Sequence, residues 1–332
     1  MWALYSWFRP LRVALFNLSI PWKYRWRLAL LQPISLLTYS IGSFPYIFSR
    51  PFYVEHLPIF PKRSIRALVF KTPGTGKGRK LRPLHIEIHG GAFIGGLPES
   101  NARFDERVAA ETGAVVVSLT YRYAPEHPFP AGIDDIDATI AWIIKNAEPR
   151  WGADSTLMTI GGFSAGGNLA LAATQQPELQ APSPTALKAS VTFYASIDLR
   201  IPPWDKPKPA KFPKHDPLGF LLPLFDSYPG PVRASQMEDP RMSPAIARGE
   251  TLPQRMLMVI PEIDILVAEQ QALAERLNAE QPGRVDVYVE PEGFHGYLEV
   301  PDAAVTKEIK DRAFDRAIKF LADTYGMHGW AW

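Results

Sequence analysis

From about residue 64 onward the chain alternates between two hydrophobic rhythms. Short apolar, β-branched runs bounded by turn residues stand at Ile65–Phe70, Leu84–Ile88, Ala114–Leu119, Leu157–Ile160, Ala189–Phe193, Met256–Ile260 and Val285–Val289, and each predicts a strand. Between them the apolar spacing lengthens to three or four. Ile133, Ile136, Ile140, Ile143 and Ile144 mark one helical face, with Asp134, Asp135 and Asp137 suited to the positive end of that helix's dipole. Val305, Ile309, Ala313, Ala317 and Leu321 recur every four residues near the C-terminus. Strands separated by helices of this length predict βαβ units and a mostly parallel sheet, an α/β fold. The glycine-rich Pro73–Gly78 fits neither a Walker loop nor a dinucleotide fingerprint and reads as a turn.

Two stretches break this rhythm. Ten prolines fall between residues 198 and 240, which forbids a long helix or a central strand and predicts an insertion, such as a lid. The other is the N-terminus. Residues 1–54 carry six basic side chains (Arg9, Arg12, Lys23, Arg25, Arg27, Arg50), no acidic one, and 14 of the 39 aromatics. Leu28–Ser49 is uncharged and long enough to cross a bilayer, but Pro33, Pro45, Gly42, Gln32 and its hydroxyls predict a poor helix. Basic residues recurring from position 9 to 27 do not fit an ordinary signal peptide. Three readings stay open: helices packed on the body as a cover for a pocket, shallow contact with a membrane surface, and a true span.

Composition narrows the chemistry further. The 332 residues include no cysteine, which excludes a disulfide scaffold, a zinc–thiolate site, an iron–sulfur cluster and a cysteine nucleophile. A cytoplasmic protein, free or associated with a membrane, fits this better than a disulfide-dependent secreted one. With 46% apolar and 21% charged residues the chain is suited to a packed core, and a net charge of +2 gives no reason to expect nucleic acid. That total averages a basic leader with a body of net charge −4.

Three segments carry candidate chemistry. Gly162-Phe163-Ser164-Ala165-Gly166 sits between the run Leu157–Ile160 and an Ala/Leu-rich helix start, the strand–turn–helix that exposes a nucleophilic serine at a helix N-terminus. His89-Gly90-Gly91-Ala92-Phe93 follows the strand Leu84–Ile88. Acyl transfer needs N–H groups converging on a developing oxyanion, and losing one costs about 3–4 kcal/mol. The N–H groups of Gly90, Gly91 and Ala165 are assigned to that hole, with His89 bracing the loop. Of the seven histidines only His215, His295 and His328 follow Ser164, and His295, on a glycine-flanked loop after the last strand, is the expected base. The loop after Met256–Ile260 offers Glu262 and Asp264 as the orienting acid; Asp264, further onto the loop, is preferred.

HGGAF, GFSAGG, the run Tyr121-Arg122-Tyr123-Ala124-Pro125-Glu126-His127-Pro128-Phe129-Pro130-Ala131 and the Asp264 and His295 loops together resemble the hormone-sensitive lipase branch of the α/β-hydrolases, over about residues 84–325. The resemblance implies an eight-stranded α/β-hydrolase sheet, with helices on both faces, under a helical cap. It divides the chain into residues 1–60, cap or membrane-associating segment, and 61–332, catalytic domain with a cap insertion at about 198–240. It puts Ser164, Asp264 and His295 on the family's triad positions, and His89, Gly90 and Gly91 on its oxyanion loop. Phe163 stands where many members have Asp, which implies a less polar pocket floor, and Ala92 stands where a third glycine is frequent. The family's acid loop often continues with Arg and Asp before a Glu, where this chain has Val267, Ala268 and Glu269, and the Tyr121–Ala131 run is expected to order backbone beneath the site.

The implied function is a serine carboxylesterase acting on small to medium apolar esters through an acyl-enzyme, with no metal or organic cofactor. Two alternatives remain: acyl transfer or cyclisation in a natural-product pathway by the same triad, and a ligand-binding receptor on the same fold, which the presence of His295 disfavours. Expected partners are a small-molecule ester, a membrane surface through residues 1–54, and a second copy in a homodimer.

Overall fold

In the computed structural model, residues 6–60, 63–73, 81–214 and 219–332 are described. Eight strands form one sheet: β1 (Phe52–Phe60), β2 (Arg63–Phe70), β3 (Arg82–Ile88), β4 (Val115–Leu119), β5 (Ala153–Phe163), β6 (Ala189–Phe193), β7 (Met256–Ile263) and β8 (Val285–Phe294), in the order β1-β2-β4-β3-β5-β6-β7-β8. β2 runs antiparallel to both β1 and β4, and the remaining pairs are parallel. All seven predicted runs are strands. Several extend further than their apolar cores, because sheet pairing carries β5 and β8 through residues that are not β-formers.

β1 is the strand the sequence reading does not find. It lies within residues 1–60, so that segment is not wholly cap: its last nine residues are the sheet edge. Its burial is irregular, with only Phe52 and Leu57 buried, and it contains Pro58, so neither alternation nor propensity marks it.

Helices cover both faces. α1 (Arg9–Phe16) and α2 (Trp22–Ser43) come from the N-terminal segment; α3 (Ala102–Thr112), α4 (Ala131–Trp151), α5 (Ala165–Ala173), the single turn α6 (Leu222–Phe225), α7 (Val267–Glu280) and α8 (Lys307–Met327) follow. Strand alternation sorts the core. Ile86, Ile88, Val115, Val117 and Ile160 pack with α4, α5, α1 and α2, whereas Val116, Val191, Phe193 and Val259 pack with α3 and α8. Ile133, Ile136, Ile140 and Ile143 of α4 are fully buried, each side chain contributing roughly 1.5–3 kcal/mol, and Ile144 is partly buried beside them.

α2 overturns the expectation of a poor helix, since it runs unbroken for 22 residues through Pro33. Tertiary contacts offset the roughly 3 kcal/mol such a proline costs. Tyr24, Leu28, Gln32, Ser35 and Tyr39 form its buried face, and the Gln32 amide accepts from Leu11 N and donates to the Trp7 carbonyl, both at 2.9 Å. Among the described residues no helix is long and apolar enough to cross a membrane. Between 198 and 240 the described residues hold no strand and no α-helix longer than four residues, as the prolines require. The predicted turn at Pro73–Gly78 lies outside the described residues beyond Pro73.

Candidate active site

Ser164 occupies the single residue between β5 and α5. Its φ is 52° and ψ −116°, a conformation that costs a non-glycine residue on the order of 1–3 kcal/mol. The flanking glycines make the turn sterically possible. A Cβ on Gly162 would lie 2.3 Å from the Gly166 carbonyl oxygen, and one on Gly166 would lie 1.9 Å from the Ile88 carbonyl oxygen. The strain is held by the neighbouring strand: Ser164 N donates to Phe193 O at 2.8 Å, and Ser196 N donates to Ser164 O at 3.3 Å.

The Ser164 hydroxyl meets His295 Nε2 at 2.8 Å, and His295 Nδ1 donates to Asp264 Oδ2 at 2.7 Å. His295 directly follows β8. Asp264 lies between β7 and α7, and the two parallel strands bring it beside the imidazole. Asp264 is 1% exposed, and its Oδ1 accepts the Leu266 N–H at 3.0 Å. Glu262 is not part of this chain of bonds; it turns outward to Lys211 at 2.7 Å. His215 lies outside the described residues, and His328 caps the end of α8.

Burial is the largest single influence on His295 and pulls its pKa down. The charge and hydrogen bond of Asp264, joined by the charges of Glu299 and Glu269, outweigh it and raise the imidazole above its ordinary value. The ring is 43% exposed on its free side, so a substrate can reach Nε2.

Gly90 approaches Ser164 closely, since a Cβ there would sit 3.4 Å from Ser164 Cβ. The loop then turns through three consecutive positive φ values, Gly91 at 116°, Ala92 at 51° and Phe93 at 60°. Among the described residues the N–H groups of Gly90, Gly91 and Ala165 donate to no protein acceptor. Helix α5 points its N-terminus at the same spot, adding its dipole.

His89 is neutral, because burial lowers its pKa to about 4. Its Nδ1 lies 2.6 Å from the Gly90 carbonyl, a pure acceptor, so Nδ1 carries the proton and Nε2 faces the Tyr123 hydroxyl at 3.1 Å. The ring also stacks on Tyr121 with centroids 4.9 Å apart. The Tyr121–Ala131 run therefore lies beneath the loop, with Asp135 accepting from Arg122 N at 3.0 Å.

Phe163 does not form a pocket floor. Its ring is fully buried on the opposite side of the elbow, stacked on Phe193 at 4.3 Å and edge-on to Phe104. β-alternation explains this: the residue before Ser164 points away from its hydroxyl.

Several contributors escaped the sequence reading. The Gln270 side chain accepts from Ala195 N and donates to Leu266 O, both at 3.0 Å, joining the β6 exit to the Asp264 loop. Glu269 accepts from Ile197 N at 2.8 Å and pairs with the buried Lys206. Tyr194 and Glu299 stand beside His295. Glu269 lies on the acid loop's continuation, whereas Gln270, Tyr194 and Glu299 belong to no local motif, so only three-dimensional proximity finds them. Among the described residues no three His, Asp or Glu side chains converge as metal ligands.

A sequence profile of the α/β-hydrolase fold matches residues 85–299. The chain belongs to the α/β-hydrolase family. Its branch is the hormone-sensitive lipase-like one. It is 31% identical over 228 residues to carboxylesterase NlhH of Mycobacterium tuberculosis, a match covering 67% of this chain and 70% of that one. It is 36% identical over 126 residues to human arylacetamide deacetylase-like 2, covering 37% and 31% of the two chains. In fold this α/β-hydrolase resembles esterase LipW of Mycobacterium marinum, with a TM-score of 0.72, 21% identity and 90% of each chain covered. It also resembles a Pyrobaculum calidifontis esterase, with a TM-score of 0.70, 24% identity and 95% and 97% covered.

Proposed function

We propose that this α/β-hydrolase cleaves carboxylic esters of small to medium apolar substrates through an acyl-enzyme on Ser164. It is a hydrolase of the carboxylesterase and lipase type, as its membership and relatives indicate. The reading of its residues rests on one observation: the bonds Ser164–His295–Asp264, at 2.8 and 2.7 Å, end where three N–H groups lack acceptors. His295 takes the Ser164 proton as Oγ attacks the ester carbonyl. The oxygen of the tetrahedral intermediate takes up the N–H groups of Gly90, Gly91 and Ala165. The imidazolium then protonates the departing alcohol. Water, deprotonated by His295, releases the acid. Asp264 keeps Nδ1 protonated, so that Nε2 is free to accept.

A fluorophosphonate probe tests this directly. Wild type is expected to label and to hydrolyse p-nitrophenyl acetate and butyrate, and Ser164→Ala and His295→Ala to do neither. An unlabelled but folded wild type overturns the assignment, as does a new ester or ring in place of free acid.

The N-terminal segment, on this reading, lies against an anionic bilayer surface without crossing it. Leu30 and Leu37 on α2 and Phe44 at its C-terminal cap follow each other at seven-residue steps, exposed by 51%, 62% and 67%. The α1–α2 turn adds exposed Leu15, Phe16, Leu18 and Trp22, and Phe48 extends the row beyond the helix end. Exposed Lys23 and Arg50 flank this apolar row and residues 1–54 hold no acidic side chain, a charge balance that suits anionic lipid. Sedimentation with phosphatidylcholine vesicles, with and without phosphatidylserine, is the test. Binding that needs phosphatidylserine and is lost in Leu30→Ser/Leu37→Ser/Phe44→Ser is expected. No binding, or a solution dimer abolished by the same changes, overturns it.

A further inference from the structure

A second carboxylate bonds the tyrosine that packs on the imidazole, and the triad makes no use of it. Glu299 lies four residues beyond His295, in the turn that returns the chain towards α8, where its N–H donates to the Gly296 carbonyl at 3.1 Å. That turn folds its side chain back along its own loop: a Cβ on Gly296 would be 3.7 Å from Glu299 Oε2. The same oxygen accepts the Tyr194 hydroxyl at 2.5 Å, and Asn101 Nδ2 approaches Oε1 at 3.5 Å.

Tyr194 is placed with equal care. It is the first residue after β6, fully buried, and adopts a φ of 40° that a tyrosine rarely takes. Its N–H donates to Val259 O at 2.8 Å, fixing the backbone to β7. The conformation directs the ring edgewise against His295, with centroids 5.2 Å apart at 61°, while the hydroxyl reaches Glu299. Packing alone does not account for this pair: phenylalanine would fill the volume, and the half-buried Glu299 turns its carboxylate onto the buried Tyr194 hydroxyl.

We propose that Tyr194 and Glu299 are positioning residues for His295: the Tyr194 ring fixes the imidazole plane, and the Glu299 carboxylate stabilises the imidazolium formed when Ser164 attacks. This rests on the assignment of His295 as the general base. Asp264 holds Nδ1 from the β7–α7 loop, and Glu269 of α7 adds negative charge that its own partner Lys206 offsets. Glu299 is thus the further carboxylate near the ring without a basic partner in an ion pair among the described residues. Its own pKa is raised by the packing around it, while the Tyr194 hydrogen bond and the charge of His295 work in the opposite direction and favour the anion.

The test is Glu299→Gln, which preserves an acceptor for the tyrosine hydroxyl but removes the charge. Two readouts are needed, the acid limb of the kcat/KM profile on p-nitrophenyl acetate and the His295 imidazole titrated by NMR in a Ser164→Ala background. Both are expected to move to lower pH by about half a unit or more, the scale expected of one charge near a partly screened site. Tyr194→Phe keeps the ring and loses only the bond to Glu299, so it should move the limb part of the way that Glu299→Gln does with KM little changed, and Glu299→Asp should restore part of the limb's position. If wild type labels with fluorophosphonate but neither readout moves in Glu299→Gln, the proposal fails and the triad reading stands. If melting temperature falls while the His295 titration stays put, the pair is merely structural and the proposal fails as well. If wild type does not label, the triad reading itself falls.

Discussion

Replacing Asp264 by asparagine changes one atom and should cost most of the activity, for a reason visible in the hydrogen bonds. Asp264 Oδ1 accepts from Leu266 N at 3.0 Å, and Oδ2 accepts from His295 Nδ1 at 2.7 Å. An amide has only one acceptor oxygen. Leu266 N–H is a fixed backbone donor at the start of α7, so the amide oxygen must stay with it. The NH₂ group then faces Nδ1, which becomes the acceptor, and the ring's proton moves to Nε2. Nε2 now points a proton at the Ser164 hydroxyl and cannot take one. A wrong tautomer of this kind lowers kcat by about 10³–10⁴-fold, roughly 4–5 kcal/mol at the transition state. Initial rates on p-nitrophenyl butyrate, with a thermal melt to show that the variant is folded, measure it. Glu262→Gln is the internal control: its carboxylate serves an exposed Lys211, and activity should stay within about twofold. A loss under tenfold in Asp264→Asn, or an equal loss in Glu262→Gln, would refute the reasoning.

Three further outcomes follow from the same geometry. Because Asp264 and its neighbours raise the His295 pKa, the acid limb of kcat/KM should lie above the ordinary imidazole value of 6.5, activity rising with pH through it; a limb below that value contradicts the assignment. Gly166→Ala places a Cβ 1.9 Å from the Ile88 carbonyl oxygen and must displace either α5 or the oxyanion loop, so kcat should fall by about 100-fold or more, and wild-type rates would show the elbow to be looser than described. Behind the sheet, Glu87 and Asp105 are both fully buried. Burial raises both pKa values, Glu87 further by the charge of Asp105, so the folded state holds protons that the unfolded chain releases, and stability falls as pH rises above the ordinary carboxylate range. Asp105→Asn should therefore stabilise the fold, by on the order of 1 kcal/mol near pH 8 and less at pH 5, as read from the melting temperature at each pH; an equal effect at both would deny the linkage.

What the sequence makes legible here follows contact distance along the chain. The elbow is legible because its parts are contiguous: Gly162 and Gly166 are forced by clashes within four residues of each other or with the adjacent strand. His295 and Asp264 are legible because parallel strands bring the loops after β7 and β8 to one end, so their order along the chain already says where they lie. Tyr194 and Glu299 give no such signal, since a tyrosine after a strand and a glutamate in a turn are ordinary. β1 fails for another reason. An antiparallel edge strand is held by its backbone pairing with β2, and its side chains need no periodicity to stay there.

The two stretches that break the sequence rhythm meet at the part of the site under most strain. Gly91, Ala92 and Phe93 have left-handed backbone, and the two non-glycine residues cost on the order of 1–3 kcal/mol each. Such a loop keeps its shape only if its surroundings leave no other. From the N-terminal segment, the buried Arg9 guanidinium donates to the carbonyls of Ile94, Tyr123 and Ala124 at 2.9–3.2 Å and pairs with Glu126 at 2.8 Å. Tyr39 of α2 accepts the Gly96 N–H at 3.1 Å. From the proline-rich stretch, Tyr228 lies flat on Phe93, 4.2 Å between centroids. Ala124 N closes the frame on the Phe93 carbonyl at 2.9 Å. Both anomalous segments therefore clamp the loop whose N–H groups would receive the oxyanion. Displacing the N-terminal helices would remove the Arg9 and Tyr39 anchors together, so the position of those helices and the geometry of the oxyanion loop are coupled, and a surface that holds one sets the other.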